Sequence, residues 1–511
     1  MEASTLPWLI CTSLATCVLY KLFISTRHDR KTVSAKTRRP PGPAPLPFLG
    51  NILDLNGELH QALSRLAEAH GPVMSLRLGT STVVVASTAA AARDVLQKHD
   101  HLLAGRSVTD AARALDNHER SILWLPGTSP LWKRLRSVCT SHLFSARGLD
   151  AARAVREEKV RELVACLGRR RAGEAVGVWR VVFSGVLNLV SNVLFSEDII
   201  DLGSDRVQEL EMLVRNTVEE VVKPNLSDLF PVLSVLDLQG RRRRTAEHVR
   251  KFYDFFDPII GRRLNAGDGE RKNDFLDVLL QLRWADQLSL ETVKSFLLDL
   301  FAAGTDTNTI SVEWTMAELL RHPAVMSKVR GELQDVLGSR PHPDESDIDR
   351  LPYLRAVVME SMRLHPPSPL LMPHEAMADG AEVGGFAVPA GTKVIINLYA
   401  IMRDPASWTR AEEFVPERFV GTDVDFRSSK DARLEFMPFG AGRRACPGLP
   451  MATRVVTLTL ASMLHAFEWR LPDGMQPGDV DVRDRFGTSL NMVTPLKAVP
   501  VAVAVPVTSR Q

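Results

Sequence analysis

Five cysteines in 511 residues, at positions 11, 17, 139, 166 and 446, are too few and too scattered to make a disulfide framework. An odd number at wide spacing fits a reducing compartment. No further cysteine or histidine lies at zinc-site spacing from Cys446. No Gly-Lys-Ser/Thr follows the glycine-rich loop around position 440, which argues against a phosphate loop. The formal net charge is only +2, so no global basic field points to nucleic acid. There is no internal repeat and no long low-complexity segment. Nothing in the chain has the form of a flavin or nicotinamide site. What is present is a chain 45% hydrophobic and 24% charged, long enough for one large core or two smaller ones.

The most informative stretch is Phe439-Gly-Ala-Gly-Arg-Arg-Ala-Cys446-Pro-Gly448. It sets one cysteine after a glycine-rich loop and before a helical pattern, with Pro447 suited to the first helical position. Unpaired N–H groups at such a helix start, and its dipole, favour thiolate over thiol. Gly440, Gly442 and Gly448 would let the backbone turn tightly and approach a flat partner. A thiolate beneath a planar iron macrocycle fits these features best. The bland alternative is that an isolated cysteine is a small buried hydrophobe.

Residues 6–24 are mostly apolar and about long enough to cross a bilayer. Six basic residues between 27 and 39 follow, against one acid, which places the remainder on the cytoplasmic side. A cleaved signal peptide would carry its positive charge before the apolar run instead. The division expected is an anchor over 1–26, a basic and proline-rich hinge over 27–50, and one domain over 51–511. Residues 58–69 read as a short amphipathic helix, and 73–78 with 82–86 as a hairpin. Thr88 suits the cap of an alanine-rich helix. Helical patterns then predominate to about residue 264. They include the run of four arginines at 241–244, read either as a solvated helix face or as a contact for anionic lipid.

The longest helix spans 288–321 and is apolar enough to be central and buried. Its middle, Ala303-Gly304-Thr305-Asp306-Thr307, predicts a local break, because glycine is costly there and Thr307 competes for a backbone carbonyl. The alternative is a helix that merely tolerates one glycine. Glu360 and Arg363 lie on one face of a helix over 353–364, with Arg418 available to complete a buried network. Short strands follow over 383–398, and a tight loop over 486–489.

With these residues in view, the chain resembles the cytochrome P-450 family of haem–thiolate monooxygenases over essentially its whole length. The family's cysteine loop appears as Phe439, Gly442, Arg444, Cys446 and Gly448. Its central-helix pattern is residues 303–307, with Asn308 where Thr or Ser is usual. Its Glu-x-x-Arg pair is Glu360 and Arg363, and its Trp-x-x-x-Arg element is Trp132 and Arg136. Trp124-Leu-Pro, Val312-Glu-Trp314 and Cys446-Pro-Gly-Leu-Pro-Met451 are similar to a plant group. That group hydroxylates monoterpenols such as geraniol and, in grasses, labdane-related diterpene olefins of defence metabolism.

The resemblance implies a mainly α fold with small β-sheets (α+β), an N-terminal transmembrane helix and attachment to the endoplasmic reticulum. It implies haem b with Cys446 as the axial iron ligand. Arg444, Arg136, Trp132 and His374 would meet the propionates, His374 being equally open to a surface role. Asp306 and Thr307 would deliver protons from the central helix. Electrons from NADPH, for use with O2, would come through a membrane-bound NADPH–cytochrome reductase docked on basic side chains, and no oligomer is required. Glu360, Arg363 and Arg418 would be structural. An apolar small-molecule substrate would lie against Leu298, Phe301, Ala302, Ala303, Leu370, Leu371, Thr488 and Ser489, roofed by residues between 107 and 125. Two readings of other classes compete: a haem-dependent isomerase or dehydratase, and a non-catalytic haem or lipid-binding protein.

Overall fold

The computed structural model describes residues 39–171, 173–202, 206–265, 271–426, 434–487 and 489–503. The expected anchor over 1–26, most of the basic stretch, and Thr488 lie outside the described residues. The proline-rich segment has no helix, as its composition requires, and is already docked: Ser75 N donates to Pro41 O at 2.7 Å and Asn51 N to Arg77 O at 2.6 Å.

Helices dominate, and the sequence signals mostly land where they should. Helix α1 (Leu59–His70) precedes the hairpin β1 (Val73–Leu78) and β2 (Ser81–Ala86). Thr88 caps the alanine-rich helix after it, accepting from Ala91 N. The strand β3 (Gly105–Arg106) is short. Pro130 opens helix α2 (Pro130–His142), capped by the Ser129 hydroxyl on Trp132 N. Helices α3 (Arg153–Gly168), α4 (Val178–Phe195), α5 (Arg206–Val222) and α6 (Arg241–Asn265) follow.

The 32-residue α7 (Leu290–Arg321) runs through the core and ends at His322-Pro323. It packs against α4, α8 (Pro352–Leu364) and α9 (Leu449–Ala466). Among the described residues, α4 is the one helix long and apolar enough to cross a membrane, but its side chains are largely buried against protein. It is a core helix.

Strands β1, β2, β5 (Lys393–Ile396), β4 (His374–Glu375) and β3 form one sheet in that spatial order. The β2–β5 pair is parallel. Arg106 pairs with His374 across β3 and β4, which brings two basic side chains to one edge. A second hairpin, β6 (Asp484–Phe486) and β7 (Leu490–Met492), is pinned to α7 by Trp314, whose indole N–H donates to Leu490 O at 2.7 Å.

Candidate active site

The cysteine loop folds on its glycines. Gly442 has φ +69°, and a Cβ there would fall 1.9 Å from Leu96 O, so any side chain is excluded. Cys446 N donates to Phe439 O at 2.9 Å, closing the loop. Helix α9 begins at Leu449, after Gly448, so Pro447 is not its first residue as the sequence suggested. Pro450 takes the early helical place instead, where its missing N–H costs nothing.

Cys446 is exposed, but to a cavity of about 330 Å³ that it lines. Burial pushes its thiol up, while the N–H groups of Gly448 and Leu449 and the charge of Arg136 oppose this. Helix-start N–H groups alone therefore do not hold a thiolate here. A cation against the sulfur would complete the stabilisation.

The same cavity is lined by Arg106, Arg136 and Arg444. Arg444 donates to the carbonyls of Ala104, Ile122 and Leu125, and its guanidinium lies 4.7 Å from the Trp132 ring centroid. Arg106 donates to Met372 O at 2.7 Å, and its Nε has no partner. Burial, then Arg444, push Arg106 down to about 9. Burial, then Arg136, push Arg444 down to about 10. Three cations in one cavity, with no carboxylate paired to them among the described residues, call for a ligand with negative charge. The propionates of haem have that chemistry, and the residues fit the group.

Arg106 was not recognised from the sequence: one arginine after a glycine has no pattern, and only the β3–β4 pairing places it. His374 is buried, its Nδ1 is 2.7 Å from Leu103 O, and it is pushed down to about 3 by burial and by Arg106. A ring that donates from Nδ1 offers Nε2 as an acceptor. Donating to a carboxylate would require its protonation.

Across the cavity, α7 presents one stripe: Asp299, Leu300, Ala303, Gly304, Thr307, Asn308 and Ser311. These recur at three- and four-residue steps, the period of one helix face. Of the expected substrate-pocket residues, Ala303 and Leu371 line this cavity. Leu298 and Phe301 do not, being turned into the core, where Phe301 packs with Phe252, Phe255 and Phe256. Ala302 is also off the stripe. Leu370 belongs to a separate cluster with Met74 and Leu76. Ser489 is engaged elsewhere, donating to Asp306 Oδ2 at 2.5 Å. From the expected roof, Ile122 and Leu123 line the cavity.

No break interrupts α7. The Thr307 hydroxyl does take a backbone carbonyl as expected, but it bonds back along the helix without opening it, and its neighbours do the same. Thr305 donates to Phe301 O, Thr307 to Ala303 O at 2.7 Å, and Ser311 to Thr307 O, while the Asn308 amide donates to Gly304 O. Asp306 does not face the cavity. Burial raises its carboxyl and the Ser489 hydroxyl opposes this.

The buried network has the full pairing that buried charge requires. Glu360 accepts two bonds from Arg363 at 2.7 and 2.9 Å, one from Arg418 at 3.0 Å and one from Val415 N. Arg363 also donates to Met402 O and Ala411 O. The four-arginine run is likewise committed to protein. Arg241 and Arg244 pair with Glu220, Arg242 with Asp110 and Arg243 with Asp237.

A long central helix facing a cysteine loop across a cation-lined cavity is the architecture of a haem–thiolate monooxygenase. The cytochrome P450 family matches residues 40–495, and the chain belongs to it. The chain is 51% identical to cytochrome P450 76M5 of Oryza sativa subsp. japonica, over 97% of this chain and 99% of the relative. It is 48% identical to ent-cassadiene C11-alpha-hydroxylase 1 of the same organism, over 97% and 99%. A zebra fish cytochrome P450, solved with abiraterone, superposes with a TM-score of 0.74 at 27% identity, covering 87% of this chain and 99% of that one. The chain is thus a plant P450 closely related to diterpene and monoterpenol hydroxylases, and its fold implies haem b with dependence on NADPH and O2.

Proposed function

We propose that the chain hydroxylates an apolar terpenoid, a labdane-related diterpene olefin of plant defence metabolism. The observation that carries this reading is the composition of the cavity. One thiol and three arginines line it, and the rest of its lining is largely apolar, including Leu300, Ile122, Leu123 and Leu371. Its size lies within the range of small-molecule sites. Such a lining would orient a fused-ring hydrocarbon by shape, with few polar anchors.

Cys446 would hold the iron, and Arg106, Arg136 and Arg444 the propionates, with Trp132 stacked beneath Arg444. Haem, when bound, supplies oxygen activation. Thr307 and Ser311 carry the hydroxyls of the cavity stripe, and Thr307 is the one next to Ala303 and Gly304. Its Oγ can accept a hydrogen bond from a water while donating to Ala303 O, and must turn from that carbonyl only to give a proton toward the cavity. Asp306 would serve only if Ser489 released it. Thr307→Ala is expected to keep haem and lower the product formed per NADPH severalfold, with the missing electrons appearing as hydrogen peroxide. Equal product per NADPH in variant and parent would remove Thr307 from proton handling.

Attachment to the endoplasmic reticulum is proposed through residues 1–26. Exposed apolar side chains support a further membrane-facing patch: Leu46, Phe48 and Leu49 near the start, and Val232, Val235 and Leu236 near α6. The β1–β2 turn joins the two regions, since Thr80 N and its hydroxyl both donate to Leu229 O. A chain lacking residues 1–38 is expected to sediment partly with phosphatidylcholine vesicles. Val235→Asp with Leu236→Asp should cut that fraction several-fold. Loss of all sedimentation on truncation alone would show that the patch contributes nothing.

Reductase would dock near exposed Lys133, Arg134, Arg147 and Arg443 on the cysteine side, where cations suit an acidic flavin domain. The test of substrate class is an assay of microsomes holding the chain and a plant reductase, supplied with NADPH and either ent-cassadiene or geraniol. Hydroxylated diterpene with geraniol unchanged supports the proposal. Geraniol turnover alone would move the reading to a monoterpenol hydroxylase. Product formed without reductase would instead indicate an isomerase or dehydratase.

A further inference from the structure

We infer that Asp299 is a positioning residue that clamps residues 121–125 over the cavity and, through that segment, holds Arg444 in place. Among the described residues lining the cavity, Asp299 carries the sole carboxyl. It is 5% exposed, and both its oxygens are committed to the roof. The Ser121 hydroxyl donates to Oδ1 at 2.9 Å and Ile122 N to Oδ2 at 2.9 Å. Ser121 Oγ in turn accepts from Leu123 N at 3.1 Å. On its other side the same segment offers the carbonyls of Ile122 and Leu125 to Arg444. The segment is therefore gripped from above by an acid on α7 and from below by a base of the cysteine loop.

Among the described residues no arginine offsets the cost of burying this carboxyl, and burial pushes it up to about 7 despite the roof's donors. Released into water it would return to the ordinary range near 4. Protonation thus favours the clamped state. Its advantage is complete at acid pH, is lost progressively as pH rises toward 7, and is flat above. Between pH 6 and pH 8 the clamped population should lose close to tenfold of its advantage over the released one.

The groups around it stay constant over most of that window. Tyr253 on α6, pushed up to about 12 by burial and then by Asp299, remains neutral. Arg106 and Arg444 remain charged. Arg120, just before the segment, donates to the Leu115 and Asp116 carbonyls. His374 is neutral throughout, and His118, held below its usual range by burial, faces Glu119.

The inference deepens the function proposed above, but its test reads backbone exchange rather than turnover, so either can fail without the other. Amide hydrogen exchange of the full-length holoprotein would be followed by mass spectrometry at pH 6 and pH 8, corrected for intrinsic rates. In the parent, the peptide holding Ile122 and Leu123 should exchange about tenfold faster at pH 8. In Asp299→Asn the pH dependence should vanish, while the peptide from α2 stays unchanged in both. A parent without pH dependence, or a variant that keeps it, overturns the clamp. If Asp299→Asn does not accumulate, Ser121→Ala serves. It should raise exchange at Ile122 at both pH values, and unchanged exchange would equally overturn the inference.

Discussion

Replacing Cys446 by alanine is expected to abolish the thiolate signature of the reduced carbon-monoxide complex and cut NADPH-dependent product by at least about a thousandfold, about 4 kcal/mol of lost barrier lowering. The electrostatics of one sulfur decide the effect. Burial works against its ionisation, and two backbone N–H groups and Arg136 only partly offset that. A metal cation on the cavity side would supply what is missing, so sulfur and metal should be lost together. The fold should survive, because the loop is closed by the backbone bond from Cys446 N to Phe439 O and by Gly442 against Leu96, neither of which uses the side chain. Haem content and circular dichroism would separate loss of ligation from loss of fold. An unchanged carbon-monoxide spectrum would refute the ligand assignment.

The second large effect is on folding itself. Arg363→Ala should cost about 3–5 kcal/mol, the range for breaking a buried pair by removing one partner. Glu360 would be left fully buried, with only Arg418 and Val415 N to satisfy it. The carbonyls of Met402 and Ala411 would lose their donor as well. Set against a typical net stability of about 5–15 kcal/mol, this is enough to prevent accumulation at 37 °C. Soluble yield and thermal unfolding would measure it. Lysine at the same position should not rescue, since it cannot reach both carboxylate oxygens and two carbonyls with one planar group. Wild-type melting in Arg363→Ala would mean the network is not structural.

Much of this was legible in the sequence where local signals agree with one another. The helix expected over 288–321 forms because the run is long and apolar and is stopped by His322-Pro323, and it starts at Leu290, only two residues later. The 73–86 hairpin and the Thr88 cap are encoded by alternation and a side-chain acceptor. Glu360 and Arg363 were readable because three residues on a helix set two side chains on one face.

What failed was the direction in which side chains point. Leu298 and Phe301 are as apolar as Leu300, and hydropathy does not distinguish them. Stepping by three and four residues from Thr307 would have recovered Ala303, Leu300 and Asp299 as the cavity face. The expected helix break failed because six polar side chains between positions 305 and 315 found carbonyls four residues back along an intact helix. Arg106 and Asp299 depend on segments distant in sequence, His374 for one and Ser121 for the other. No local pattern announces such pairs.

The central claim is that this cavity inserts one oxygen atom from O2 into a terpenoid hydrocarbon. Its most direct test is incubation of microsomes holding the chain and a plant reductase with ent-cassadiene, NADPH and 18O2, followed by mass spectrometry of the product. The account predicts a mono-hydroxylated diterpene carrying one heavy oxygen, absent without NADPH. A product whose oxygen comes from water, or one formed equally without NADPH, would contradict it.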